Sequence, residues 1–180
     1  MFKNSKILIV CSHFDDEVIG CSSLMKYNPS ILVIFGNDKR KNLKHKNIKY
    51  LNFKPFENIK ENKLNLIIQK EIEKINPDYI FTQNKDDFNL DHQRVNRGVH
   101  IACKQNRYNY KGLFEFAVEQ EIQANLFLEI SKKDKIKYLN KYKDFINPKN
   151  FDFIINYNEF CGLKNNLKFA EPFKICYLKF

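Results

Sequence analysis

The chain has 180 residues, 43% of them hydrophobic, which suits one domain with a substantial core. Its net charge of +10 comes largely from lysines interleaved with asparagines along the whole length. That is a compositional bias, not the clustered Arg, Lys and aromatic face of a nucleic-acid binder, so no nucleic-acid partner is expected. No segment approaches the ~20 apolar residues that span a bilayer, and the amino-terminal apolar run is too short for a signal peptide. The five cysteines are odd in number and scattered without a Cys-x-x-Cys, so neither a zinc knuckle nor a disulfide framework is indicated. The expectation is a soluble cytoplasmic protein in a reducing compartment, with Cys11, Cys21 and Cys176 as buried free thiols.

Ile7-Leu8-Ile9-Val10-Cys11 is continuously apolar and rich in β-branched residues, which predicts a short buried strand. The turn Ser12-His13-Phe14-Asp15-Asp16-Glu17 leads into a helix predicted over Val18 to Tyr27, and Pro29 closes that region. Ile31 to Phe35 predicts a second buried strand, Gly36-Asn37-Asp38 a turn, and Ile48 to Phe53 a third, more polar strand. The basic stretch from Lys39 to Lys46, which contains Arg40 and His45, reads either as a solvated loop or as a site for an anionic group such as a substrate phosphate. From Phe56 to Ile75, Ile59, Leu64, Ile67, Ile68, Ile72 and Ile75 recur at helical spacing, and Pro77 stops that helix. Tyr79-Ile80-Phe81 is the next strand.

A second polar turn, Asn84 to His92, opens a helix predicted from Leu90 to Lys104. Leu113 to Phe116 and Asn125 to Ile130 predict strands. Ser131 suits the cap of a helix from Lys132 to Phe145, with Ile136, Leu139, Tyr142 and Phe145 as its core stripe. Pro148 and Asn150 break that pattern. Phe151 to Tyr157 fits either helix or strand, Gly162 a turn, and Phe173 to Tyr177 a closing strand. Alternating strands and helices predict an α/β fold with a mostly parallel sheet covered on both faces, wrapped like a Rossmann arrangement and forming a single domain over residues 1–180. No Gly-x-Gly-x-x-Gly follows the first strand, so dinucleotide binding is not indicated.

The two polar turns follow strands of one parallel sheet, so they meet at one edge, where open α/β sheets bind ligands. Asp15 or Asp16 fits a helix cap, because acids in the first turn favour the positive end of the dipole. A cap explains neither His13 nor three acids in one turn, since carboxylates repel unless something positive neutralises them. His13 and Asp16 offer a cation one nitrogen and one oxygen, and His92 completes a His, Asp, His set. Three protein ligands with an open fourth position is the pattern of a catalytic zinc. His100 lies about 12 Å further along the same helix and cannot readily share that ion, so it reads as structural or substrate-facing. Asn96, one turn after His92, is placed to look into the site. Glu171 reads as a surface carboxylate or as a further site residue.

Ser12-His13-Phe14-Asp15-Asp16-Glu17 with Gly20 resembles the "(A/S)HPDDE…G" motif of the PIG-L/LmbE-like zinc-dependent deacetylases, which remove acetyl groups from N-acetylated sugars. Asp87-Phe88-Asn89-Leu90-Asp91-His92 resembles the same family's "D-x-N-x-D-H", and Gly162 with Ala170-Glu171-Pro172-Phe173 resembles its closing "G…AE-x-F". Tyr142 falls near the family's helix tyrosine. The resemblance implies a Rossmann-like three-layer sandwich, Zn2+ held by His13, Asp16 and His92, and Asp15 as general base. A zinc-bound water is the implied nucleophile for amide hydrolysis, and the implied substrate is an N-acetylated sugar, free or linked to a nucleotide or lipid. Phe14 replaces the usual proline. Gln93 replaces the common arginine after the aspartate–histidine pair. Asn89 stands where some members carry a histidine, so it donates a hydrogen bond to the oxyanion but exchanges no proton. Glu17, Asp87 and Asp91 are then supporting residues, and Arg40 stands in for part of the family's Arg-x-x-Glu pattern. The competing expectation is a non-catalytic basic Rossmann-like module for a phosphorylated ligand or nucleic acid.

Overall fold

A computed structural model describes residues 1–36, 47–54, 59–105 and 110–179. The strands are β1 (Ile7–Cys11), β2 (Ser30–Phe35), β3 (Ile48–Phe53), β4 (Tyr79–Gln83), β5 (Gly112–Phe116), β6 (Leu126–Glu129) and β7 (Ala170–Leu178). The helices are α1 (Asp16–Cys21), α2 (Glu61–Ile75), α3 (Leu90–Lys104), α4 (Lys132–Leu139) and α5 (Pro148–Lys164). All the strands join one sheet in the order β3-β2-β1-β4-β5-β7-β6. The first five pair parallel, and β7 runs antiparallel between β5 and β6. The wrapping reverses beside β1: β2 and β3 lie to one side, β4 and β5 to the other. The carboxyl ends of β1 and β4 therefore flank the topological switch point of the sheet.

The inner strands are continuously apolar because both faces are covered. Leu64, Ile68 and Ile72 of α2 and Val95, Val99 and Ala102 of α3 pack on Leu8, Val10, Leu32 and Ile80. On the opposite face Ile9, Cys11, Phe81, Phe114 and Phe116 pack with Phe2, Cys21 and Leu24. Helices α1, α4 and α5 close that side through Val18, Leu139, Tyr142, Ile154 and Ile155. Each such side chain contributes roughly 1.5–3 kcal/mol on burial. Gly20 of α1 permits this packing, since a Cβ there would stand 2.1 Å from the Phe116 ring. The α/β sandwich with a mostly parallel sheet is thus as expected.

Several boundaries differ from expectation, each for a local reason. The helix expected from Val18 to Tyr27 is α1 followed by a 3-10 turn over Ser22–Tyr27. The break comes from a buried ion pair. Glu171 accepts the backbone N–H groups of Ser22 (2.9 Å) and Ser23 (2.8 Å), and the Lys135 ammonium binds the carbonyls of Val18 and Ile19 and the Glu171 carboxylate. Glu171 is therefore buried, not a surface carboxylate. The helix expected to reach Phe145 ends at Leu139 and passes into a 3-10 turn over Asn140–Tyr142. Its buried stripe is Lys135, Leu139, Tyr142 and Ile146, whereas Phe145 is exposed. Pro148 begins α5 instead of breaking it, because its missing N–H costs nothing at the first helical position, and Asn147 caps that end by accepting from Lys149 N at 2.9 Å. Gly162 sits inside α5, not in a turn, where a Cβ would meet Phe169 N at 2.6 Å. The β5–β7 register slips between Leu113 and Phe114, so Cys176 is the extra residue of a bulge in β7 and is exposed, contrary to the buried thiol expected. Cys11, Cys21, Cys103 and Cys161 are buried, and all five thiols are free.

Candidate metal centre

The chain leaves β1 into the first polar turn with its backbone bent hard. Asp15 has φ 103°, a conformation disfavoured for side chains bearing a Cβ. The other described non-glycine residues with positive φ are all asparagines, Asn4, Asn28, Asn52, Asn76 and Asn166. Asn tolerates this region through local hydrogen bonding. An aspartate at position 15 is the departure, and such strain gathers at functional sites. The bend starts α1 at Asp16, so His13 and Asp16 face the same side, and Asp16 Oδ2 accepts His13 N–H at 2.7 Å.

The second turn, after β4, ends at α3. Asn89 caps that helix, its Oδ1 accepting from Asp91 N at 3.0 Å. This places His92 on the first turn of α3, aimed at the first motif. His13 Nδ1 stands 3.2 Å from His92 Nε2, His92 Nε2 is 3.5 Å from Asp16 Oδ1, and His13 Nδ1 is 3.8 Å from Asp16 Oδ2. These separations bracket the ~3.3 Å expected between nitrogen and oxygen ligands about 2.05 Å from a tetrahedral zinc. The outward nitrogens meet acids. His13 Nε2 is 3.3 Å from Asp91 Oδ2, and His92 Nδ1 is 3.0 Å from Asp87 Oδ1. Carboxylates in that position fix ring orientation and raise imidazole basicity in metal sites. A donor set of two imidazoles and one carboxylate, each oriented from behind, fits zinc.

The electrostatics agree with that fit. Burial alone would lower the His92 pKa, but Asp16 and then Asp87 overturn this and push it up to about 10. Burial would raise Asp16, but His92 and His13 hold its carboxyl below the ordinary value. Burial raises Glu17 to about 7, against the opposing hydrogen bond from Tyr142. Glu17 Oε1 accepts from Tyr142 Oη at 2.7 Å, and Oε2 accepts from Asp15 N at 3.1 Å.

The sequence-predicted residues divide clearly. His13, Asp15, Asp16 and His92 line a cleft of about 510 Å³, together with Phe88, Glu119, Phe145, Asn147, Asn150 and Phe153. Asp87 and Asp91 stand behind the histidines, and Glu17 behind Asp15. The Asn89 amide nitrogen donates to Glu119 Oε1 at 3.3 Å. Asn96 faces away from the cleft: its Nδ2 bonds Gln83 O and Glu115 Oε1, both at 2.8 Å. Glu171 serves the α1 break described above. Arg40 and the whole stretch from Lys39 to Lys46 lie outside the described residues.

Sequence reasoning missed Gln83, which donates to Asp16 Oδ2 at 2.7 Å, and Arg94, which donates to Asp91 Oδ1 at 3.2 Å. Gln83 carried a signal, being the last residue of a strand that ends at the switch point. A larger groove of about 640 Å³, lined by Ser22, Lys26, Ser131 and Lys168, lies beyond the Lys135–Glu171 pair. The site belongs in the smaller cleft because the acid–imidazole set opens into it.

No family profile and no curated protein matches the chain. Solved structures do. The conserved protein TT1542 of Thermus thermophilus superposes with a TM-score of 0.79 at 16% identity, covering 98% of this chain and 96% of that one. An N,N'-diacetylchitobiose deacetylase from Pyrococcus horikoshii gives 0.75 at 17% identity, over 97% of this chain and 85% of that one. GalB, the 4-carboxy-2-hydroxymuconate hydratase of Pseudomonas putida KT2440, gives 0.74 at 11% identity, over 97% and 98%. A deacetylase and a hydratase on one scaffold mean that the fold alone does not fix the reaction. Along nearly its whole length, the chain has the fold of the PIG-L/LmbE-like deacetylases.

Proposed function

We propose that the chain is a zinc-dependent hydrolase that removes the acetyl group from an N-acetylated sugar or sugar conjugate. The observation that carries this reading is the convergence of His13, Asp16 and His92 at the cleft, with Asp15 beside them. It is supported by the fold shared with a deacetylase of an acetylated disaccharide. His13, Asp16 and His92 would hold zinc, which, when bound, polarises the acyl carbonyl and lowers the pKa of water towards ~7.

The chain's own groups do the rest. Asp15 accepts the proton of the attacking water and returns it to the leaving amine nitrogen, since Asn89 holds no transferable proton. Glu17 and Tyr142 hold the Asp15 backbone in its bend. Asp87 and Asp91 fix the two imidazoles. By the family resemblance Asn89 is assigned the oxyanion; one such donor is typically worth about 10²–10³ in rate. Phe88, Phe145 and Phe153 give the cleft an exposed aromatic wall suited to a sugar ring. Among the described residues no helix is long and apolar enough to cross a membrane. A basic module for polyanions would leave the paired His–carboxylate contacts without a role.

The test is acetate release from a panel of free, nucleotide-linked and lipid-linked N-acetylated sugars, with and without a chelator. Asp15→Asn retains zinc and loses turnover by about 10²–10⁴. Wild-type turnover in Asp15→Asn removes it as the base. Water addition to an unsaturated polycarboxylate, with no acetate from any sugar, replaces the deacetylase reading with a hydratase.

A further inference from the structure

We propose a second metal site, built by His100 of α3, Glu115 of β5 and Cys176 of β7, that takes one thiophilic divalent cation of the zinc class. One ligand atom from each residue lies within 4.8 Å of the others, and His100 Nε2 is 3.0 Å from a Glu115 carboxylate oxygen. Ligands of a tetrahedral zinc stand about 3.3–3.7 Å apart, so small side-chain adjustments suffice. Imidazole, carboxylate and thiolate together select zinc-like ions over magnesium or calcium.

Glu115 points to an occupant. It is only 1% exposed. Its Oε1 is satisfied by Asn96 and His100. Its Oε2 is buried and has no nitrogen or hydroxyl donor within hydrogen-bond reach among the described residues, the Cys176 thiol being the further donor beside the carboxylate. The nearest cation to Oε2 is the Lys174 ammonium at 3.9 Å, on a side chain free to extend into water. A buried carboxylate oxygen without a nitrogen or hydroxyl donor costs free energy that a bound cation would recover.

The bulge supplies the third ligand. Lys174 pairs directly with Glu115, and Cys176, two residues on, is the extra residue of the bulge that follows. His100 is half-buried and Cys176 is exposed, which gives an ion a way in. Eight residues of α3 separate His100 from His92, about 12 Å along the axis, so the two sites share no ion. Bound here, the cation clips the last strand to α3 and β5, which are far earlier in the chain.

Cobalt(II) titration of the metal-free full chain tests this. The cleft has no cysteine, so a thiolate-to-metal charge-transfer band in the near ultraviolet reports the second site alone. The wild type is expected to bind two equivalents and show that band. Cys176→Ser and His100→Gln lose the band and weaken one equivalent by at least about 100-fold, beyond the usual effect of a supporting residue. His13→Ala keeps the band and loses the other equivalent. A wild type without the band, or a band that survives Cys176→Ser, overturns the second site. A single equivalent that His13→Ala removes leaves the cleft reading standing and the second site refuted. A single equivalent with the band, untouched by His13→Ala, does the reverse.

Discussion

Strands β1, β4 and β5 lie side by side, and their two ends are built on opposite principles. At the amino ends, Asp78 ties the three together. Its carboxylate accepts Lys6 N–H at 2.8 Å and meets the Lys111 ammonium at 2.9 Å, while its carbonyl accepts the backbone N–H groups of Lys111 and Gly112. Opposite charges pair there in the open, on unstrained backbone. At the carboxyl ends, Asp16, Glu17, Asp87 and Asp91 are buried together, and the adjoining Asp15 is held at φ 103°. Two imidazoles and Arg94 balance those acids. One edge is arranged for its own stability. The other accepts repulsion and strain, which a bound cation and a reacting substrate would relieve.

The largest break in that contrast comes from supplying or removing the cation. Zinc in hundred-fold excess over its dissociation constant stabilises by about 2.7 kcal/mol, or roughly 5–11 °C in melting temperature for a chain of this size. His92→Ala is expected to abolish the part of this shift that the cleft contributes, whereas Lys111→Ala at the amino edge leaves it whole. Differential scanning fluorimetry with zinc or chelator reads it directly. An equal zinc shift in wild type and His92→Ala would mean that the carboxyl edge holds no metal.

The strain makes a smaller, opposite prediction. Glycine adopts positive φ at little cost, so Asp15→Gly is expected to raise stability by up to about 1 kcal/mol while hydrolysis is lost. A variant less stable than wild type in chemical denaturation would show that the Asp15 side chain offsets its own backbone cost, and would move the strain from function to structure.

The contrast also explains what was legible in the sequence. His13, Asp16 and His92 come from two short turns, each directly after an apolar strand. The parallel arrangement alone was enough to predict that they meet. The α2 face was equally readable from helical spacing. The ion pair between Lys135 and Glu171 was not: its members lie 36 residues apart and cut α1 short by capturing backbone groups, an effect no local pattern carries. Cys176 failed similarly, because its exposure depends on a register slip between β5 and β7. The many asparagines, read as composition alone, take on a structural role where Asn28 and Asn76 end helical segments in the left-handed conformation. Such tertiary decisions leave only a residue type at a position, not a motif.

The smallest effect belongs to the amino edge, and pH gives it a sign. The Lys111 side chain, then the Lys6 backbone N–H, hold the Asp78 carboxyl below its ordinary value of 3.8. A carboxyl with a depressed folded value contributes stability above its unfolded value and loses it as pH falls through the folded one. Asp78→Asn keeps an oxygen for Lys6 N–H and removes the charge. Because the pair is exposed, the variant is expected to melt no more than about 2–4 °C below wild type at pH 7. That gap narrows in high salt and closes as pH falls below the ordinary carboxyl value and through the lowered one. A gap that persists at low pH would show that Asp78 acts through the oxygen directed at Lys111, which the amide nitrogen replaces, and not through its charge. The amino edge would then be held by the same kind of directed polar contact as the carboxyl edge, and the difference between them would reduce to burial.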